Sequence, residues 1–208
     1  MADGDAISAG QRLATVRGSA RSILAAERVA LNLLGQLSGV ATATRRLVDR
    51  VEGTGARIID TRKTTPLLRA LQKRAVVAGG GGNHRMGLHD QVLIKDNHVE
   101  AVGSAAEAVR KARAYVGDEV TVEVELDDLE ELEAVIDAGA DIVLLDNMTP
   151  ELMRRAVDAA AGRVLLEASG GITLETVRAV AESGVDLISV GWLTHSAPAL
   201  DVGLDFEP

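Results

Sequence analysis

Cysteine is absent from the 208 residues, and aromatic residues are nearly so, with one Trp, one Tyr and one Phe. The first absence excludes a disulfide framework, a thiolate metal site and a cysteine nucleophile. The second leaves Val, Leu, Ile and Ala to fill the interior of a chain that is 47 % hydrophobic. That content is enough for a well-buried core at this length and far too high for wholesale disorder. No apolar run approaches the roughly 18 residues of a membrane span. The N-terminus, Met1-Ala2-Asp3-Gly4-Asp5, is acidic, unlike a signal peptide. The expectation is a soluble cytoplasmic protein with no membrane partner. A formal net charge of −9 argues against nucleic acid as the main partner. The length suits one large domain or one and a half.

What is present is a polarised charge distribution. Arg57 to Lys95 holds eight Lys/Arg and two Asp, a local net of +6, whereas Asp118 to Glu151 holds thirteen Asp/Glu and no Lys/Arg. Glu130, Glu131 and Glu133 read as a solvated helix face. The basic block differs, because the adjacent pairs Arg62-Lys63 and His84-Arg85 flank short apolar runs. If these pairs converge, they form a pocket for a polyanionic small molecule inside an acidic protein.

Short aliphatic runs, each followed by a helical pattern, predict strands at Arg57–Asp60, Val92–Lys95, Thr121–Leu126, Asp141–Asp146, Arg163–Ala168 and Asp186–Val190. The last four begin about 20 to 23 residues apart, room for a strand, a loop and a three-turn helix. Thr149-Pro150-Glu151 reads as an N-cap with a first-turn Pro, and Gly162 as the stop of that helix. Asp128 and Thr173 are the expected caps of two further helices. Repeated β/α units with apolar strands imply parallel strands covered by helices. An α/β fold is expected, an incomplete or open parallel barrel of the TIM-like kind with about six to seven strands. Ahead of it, Gln11–Arg17 reads as a strand, and Ser19 to Val51 as a long helical stretch broken near Ser38-Gly39.

In a parallel barrel the chemistry sits at the C-terminal strand ends. Here those ends deliver Asp60-Thr61-Arg62-Lys63, Lys95-Asp96-Asn97-His98, Glu125, Asp146-Asn147, Ser169-Gly170-Gly171 and Gly191. Lys95 can be a structural ion pair with Glu125 or Asp146, an anion clamp or a Schiff-base amine. Glu125 and Asp146 can hold Mg²⁺ or sugar hydroxyls, or partner the barrel's own cations. Ser169-Gly170-Gly171 ahead of a helix, with Gly191 one unit later, suits a phosphate cup. Gly79–Gly82 is either a surface loop or a source of backbone N–H groups for an anion; no P-loop lysine follows it. His84, His89, His98 and His195 lack zinc-protease spacing. Neither a nucleophile elbow nor a dinucleotide fingerprint is present.

The ordered motifs Glu27-Arg28-x-Ala-Leu-Asn32, Leu37-Ser38-Gly39-Val40-Ala41-Thr42, Asp60-Thr61-Arg62-Lys63-Thr64-Thr65-Pro66, Gly82-Asn83-His84-Arg85, Leu93-Ile94-Lys95-Asp96-Asn97-His98, Val122-Glu123-Val124-Glu125, Leu144-Leu145-Asp146-Asn147 and Ser169-Gly170-Gly171-Ile172 closely resemble those of the quinolinate phosphoribosyltransferase family. The resemblance covers essentially the whole chain. It implies phosphoribosyl transfer from phosphoribosyl pyrophosphate (PRPP) to quinolinate with decarboxylation, in de novo NAD synthesis, with Mg²⁺ as cofactor. It also implies a homodimer or higher homo-oligomer.

By the family pattern, Arg62, Lys63, His84 and Arg85 hold the two quinolinate carboxylates, with Thr61 at the pocket wall. Arg28 serves the neighbouring subunit's site. Lys95 and Lys63 act catalytically with Glu125 and Asp146, the latter two at the ribose hydroxyls and Mg²⁺. Ser169, Gly170, Gly171, Val190, Gly191 and His195 surround the 5′-phosphate. The resemblance further implies that residues 1–37 are the remnant of an N-terminal α/β sandwich domain with a linking helix, 38–195 the barrel, and 196–208 a tail returning to the first. Three other readings compete: a molybdenum-utilisation-associated homologue, a Schiff-base aldolase using Lys95, and an inactive fragment that only binds phosphoribosyl compounds.

Overall fold

The computed structural model describes residues 1–206, so the last two residues of the tail at 196–208 lie outside the described residues. The six apolar runs form six parallel strands: β1 (Arg57–Ile59), β2 (Val92–Ile94), β3 (Val122–Leu126), β4 (Ile142–Asp146), β5 (Leu165–Ser169) and β6 (Leu187–Ser189). They pair in the order β1-β6-β5-β4-β3-β2. The helices are α1 (Ala20–Arg50), α2 (Arg69–Ala78), α3 (Asp96–Val102), α4 (Ala105–Val116), α5 (Leu132–Asp137), α6 (Pro150–Ala160), α7 (Val177–Ala181) and α8 (Trp192–His195). No hydrogen-bonded ladder joins β1 to β2, so the barrel is open there. Gly82 lies along β1 in a lone parallel bridge, its N–H donating to the Ile58 carbonyl at 2.8 Å.

Side chains alternate along a strand, and the register turns that alternation into two chemically different faces. Glu123, Glu125, Leu144, Asp146, Glu167, Ser169 and Ser189 share one face. The other face carries Val122, Val124, Val143, Leu145, Leu166, Ala168 and Ile188, all buried. These pack with Val109, Val135, Ala156, Val177 and Leu193 into one hydrophobic cluster. The apolar core is therefore the layer between sheet and helices. The barrel interior, usually filled with branched aliphatic side chains, here carries carboxylates.

Several local expectations are corrected. Gln11–Arg17 forms no strand, because no strand of the sheet lies beside it to complete a ladder, and only Leu13 in it is even half-buried. The helix does not break at Ser38-Gly39: α1 runs unbroken for 31 residues. Its glycines serve close packing instead. A Cβ at Gly39 would stand 2.1 Å from the Pro198 carbonyl oxygen, and one at Gly35 2.6 Å from that of Leu200. Leu200 N–H also donates to the Gly35 carbonyl at 2.9 Å.

Gly39→Ala is therefore expected to cost about 1–3 kcal/mol and lower Tm by about 3–9 °C. An unchanged thermal transition would show that the tail does not seat on this helix.

Thr149 caps α6 as expected, accepting from Leu152 N–H at 3.3 Å. Asp128 and Thr173 instead close turns, accepting from Glu130 N–H at 2.8 Å and Glu175 N–H at 3.2 Å. Short polar side chains bond their own backbone two residues on, so α5 and α7 start only at Leu132 and Val177.

Candidate active site

The C-terminal strand ends converge on the barrel mouth. At β2, Lys95 is the N-cap of α3 and its N–H donates to His98 Nδ1 at 2.9 Å. Its Nζ forms an ion pair with Glu125 at the end of β3. Asp146 ends β4 and accepts from Asn147 Nδ2 at 2.7 Å. Asn147 takes a left-handed φ of 53° and presses on the next loop. A Cβ at Gly170, where φ is 95°, would lie 2.1 Å from Asn147 Oδ1. Only glycine meets both requirements. Gly191 is a second close approach: its Cβ would sit 3.2 Å from Lys63 Cδ, 3.6 Å from Thr61 Oγ1 and 3.6 Å from His195 Nε2. Thr61, Lys63, Gly191 and His195 therefore share one corner of the mouth, with Val190 buried beneath.

The basic side of the mouth is built from the loop after β1 and the segment that lies along it. Arg85 is partly buried, and its pKa is held below the ordinary guanidinium value, first by burial and then by the neighbouring positive charge of Arg62. Arg62 Nε is itself buried and, among the described residues, has no hydrogen-bond partner. Two guanidinium groups near enough to feel each other's charge suit an anion.

Arg69, which sequence reasoning passed over, staples this region. It donates to the carbonyls of Met86 at 3.1 Å and Arg62 at 3.2 Å, and to Thr64 Oγ1 at 3.0 Å. Asp90 closes the adjoining turn by accepting from Met86 N–H at 2.5 Å and Gly87 N–H at 2.9 Å, contacts that hold its pKa below the usual carboxylate range. Trp192, also unforeseen, ties the Gly170–Gly171 loop to α8 by donating to the Ile172 carbonyl at 3.0 Å.

Two residues expected at the mouth do other work. Asp60 is fully buried, paired with the equally buried Lys73 of α2 and accepting from His84 N–H at 2.9 Å. Burial raises its pKa despite Lys73. His84 does not present its ring to the mouth. Its Nδ1 accepts from Arg85 N–H at 2.6 Å, and its Nε2 lies 3.0 Å from Glu123 Oε2. With both nitrogens engaged inside the protein, the ring cannot itself grip a carboxylate. Arg28 stands exposed on the N-terminal half of α1, ahead of the part of that helix that is buried from Gly35 onward.

Gly79–Gly82 is no anion cradle either. Its four N–H groups are taken by Ala75, Val77, Val76 and Ile58 carbonyls. The glycines are there because α1 is close, a Cβ at Gly79 falling 2.3 Å from the Ala41 oxygen.

Glu123 and Glu167 were missed as interior residues. For Glu123 the signal was available in Val122-Glu123-Val124-Glu125-Leu126, whose period of two places Glu123 with Glu125 on the face opposite the valines.

A family model described as the quinolinate phosphoribosyl transferase C-terminal domain matches residues 40–205, and the N-terminal domain model of the same family matches residues 1–38. The chain is similar to the nicotinate-nucleotide pyrophosphorylase (carboxylating) of Mycobacterium leprae, 52 % identical over 206 residues that cover 98 % of this chain and 72 % of the relative. It is 48 % identical over 203 residues to the probable enzyme of that name from Bacillus subtilis, covering 98 % of this chain and 70 % of the relative. Among solved structures, NadC from Streptococcus pyogenes superposes with a TM-score of 0.93 at 44 % identity, covering 97 % of this chain and 70 % of that one.

Proposed function

The chain belongs to the quinolinate phosphoribosyltransferase family, and we propose on that premise that it makes nicotinate mononucleotide from quinolinate and PRPP. The pyridine nitrogen of quinolinate attacks C1 of the ribose as the C–O bond to pyrophosphate breaks, its electron pair leaving with pyrophosphate. The N-alkylated ring is then a pyridinium. It accepts the electron pair of the neighbouring C–CO₂ bond, CO₂ departs, and a proton takes its place on carbon. The observation that carries this reading is the pairing of Arg62 with Arg85 on one side of a mouth whose other side holds Lys95, Glu125 and Asp146.

Arg62, Arg85 and Lys63 are suited to the two substrate carboxylates, bidentate contact being the strength of guanidinium. Thr61 walls the pocket. Glu125 and Asp146 face the ribose, where carboxylates stabilise the positive charge that develops as pyrophosphate leaves. Lys95 holds Glu125 in place and meets the departing pyrophosphate. Ser169, Gly170, Gly171, Val190, Gly191 and His195 enclose the 5′-phosphate. Glu125 and Asp146 are hard oxygen donors of the kind Mg²⁺ takes, and they would hold it at the ribose side. When bound, the ion neutralises part of the pyrophosphate charge.

Incubation with quinolinate, PRPP and Mg²⁺ is expected to release pyrophosphate, and nicotinate in place of quinolinate is expected to release far less. Equal turnover of both would remove the role given to the paired arginines. Absence of product from quinolinate would undermine the assignment and leave the molybdenum-associated and inactive-fragment readings.

The N-terminal half of α1 exposes Leu24, Val29 and Leu34 at 53, 66 and 44 % on the same helix as Arg28. This supports a homodimer in which the partner subunit's Arg28 completes each mouth. A mixture of Arg28→Ala and Lys95→Ala chains should then regain up to about a quarter of wild-type activity, since half of the dimers carry one intact site of two. No regain on mixing would mean that Arg28 serves its own chain.

A further inference from the structure

Beneath the mouth, where the barrel is open between β1 and β2, His84, Glu123 and Glu167 form a buried cluster whose ligand atoms lie within 4.8 Å of one another. Glu123 and Glu167 are 0 and 1 % exposed. The His84 Nε2 is 3.0 Å from Glu123 Oε2 and 3.7 Å from Glu167 Oε2. Gln91 Nε2 donates to the same Glu123 oxygen. Among the described residues, Glu123 Oε1 and both oxygens of Glu167 have no hydrogen-bond partner. Two buried carboxylates this close repel each other, and Glu167 cannot stay ionised beside Glu123 without a compensating charge.

The cluster therefore holds either a cation or a proton, and the ring of His84 distinguishes them. Its Nδ1 accepts the Arg85 N–H at 2.6 Å, so that nitrogen carries no proton. A metal-bound histidine does the opposite, donating its second N–H. The ring proton thus sits on Nε2 and points at Glu123.

We propose that Glu123 and Glu167 are positioning residues for quinolinate recognition, Glu167 holding a proton beside Glu123, and Glu123 fixing the Nε2–H form of His84 and through it the main chain of Arg85. This rests on the reading of the site as a quinolinate pocket. Glu123 anchors the ring from below. The ring's free lone pair anchors the Arg85 N–H, while Asp60 and Lys73 hold the His84 backbone on either side. The residue whose guanidinium faces the substrate is in this way set by a carboxylate that never touches it.

The charged and titratable groups acting on Glu167 are Glu123 and Glu125 of β3 and His84, with Ser189 of β6 beside its carboxyl. Burial foremost, and then the charge of Glu123, push Glu167 up to about 7. Both carboxylates pull the His84 pKa up against burial; the Arg85 amide aimed at Nδ1 opposes a second ring proton, and a protonated Glu167 weakens the pull. Above neutrality Glu167 ionises. Its proton leaves to solvent, and a second negative charge then lies under a pocket for a dianion.

Two measurements on wild type and Glu167→Gln test this. The folded protein binds the Glu167 proton more tightly than the unfolded chain, so wild-type stability falls as pH rises from the unfolded carboxyl range to about 7. The Tm advantage of E167Q should therefore grow between pH 5 and pH 8; a constant difference overturns the proton on Glu167. In kinetics, wild-type KM for quinolinate should rise several-fold from pH 6.5 to 8.5 with a smaller change in kcat, and E167Q should show a flat KM. An identical rise in both overturns the positioning role.

Glu123→Gln, which replaces the anionic acceptor of His84, should raise KM at every pH. An unaltered KM in that variant counts against the anchor, and stoichiometric metal in the purified protein overturns the proton in favour of a cation. A wild type that makes no product defeats the functional reading alone, and the Tm comparison still decides the proton.

Discussion

Replacing Lys95 by alanine is expected to lower kcat by about 10²–10³-fold while the fold survives, the scale seen when one preorganised electrostatic group is removed from a reaction centre. The Lys95 side chain is 46 % exposed at the mouth, so its loss opens no cavity in the core between sheet and helices. What it removes is local. Glu125 loses its ion-pair partner, and in the proposed reading its carboxylate is left free to swing away from the ribose. In the same reading the departing pyrophosphate also loses a cation at the mouth. Lys95→Arg restores the charge on a longer, planar group and should recover only part of kcat. Steady-state kinetics on both variants, with circular dichroism to confirm folding, checks this. A Lys95→Ala enzyme with near-wild-type kcat would mean that the ion pair with Glu125 is structural only.

The largest stability effect is expected at Lys73. Lys73 and Asp60 are 1 and 0 % exposed, and Lys73 Nζ also donates to the His84 carbonyl at 2.9 Å. Lys73→Ala leaves a carboxylate in the interior without its counter-charge, at a cost of about 3–5 kcal/mol. For a chain of this size that lowers Tm by about 6–20 °C. The double change Asp60→Asn with Lys73→Met removes both charges and should recover much of the loss, because a neutral, well-filled interior needs no counter-ion. Thermal or urea denaturation of single and double variants decides the matter. A double variant no more stable than Lys73→Ala would show that the damage lies in lost packing around His84.

The residues that were legible and those that were not separate on physical grounds. Strands β1 to β6 could be read because aliphatic runs bounded by Gly and polar residues have few alternatives. The mouth could be read because Lys95, Glu125, Asp146 and Ser169 each stand where such a run ends. Lys73 could not, since a lysine in Arg69–Ala78 looks like a solvated position until Asp60 is seen to face it. Gly39 looked like a helix breaker because its partner, Pro198, is some 160 residues away. His84 carried the right motif and the wrong direction: sequence places it beside Arg85 but does not say that its ring turns down to Glu123. Composition over the whole chain concealed the interior for the same reason. A strand rich in valine looks apolar even when every second residue is a glutamate.

The most direct test of the central claim follows a carbon atom. With quinolinate labelled in the carboxylate next to the ring nitrogen, the account predicts labelled CO₂ and unlabelled nicotinate mononucleotide in a one-to-one ratio, released only when PRPP is present. Label retained in the product, CO₂ released without PRPP, or no reaction at all from the folded protein would contradict it.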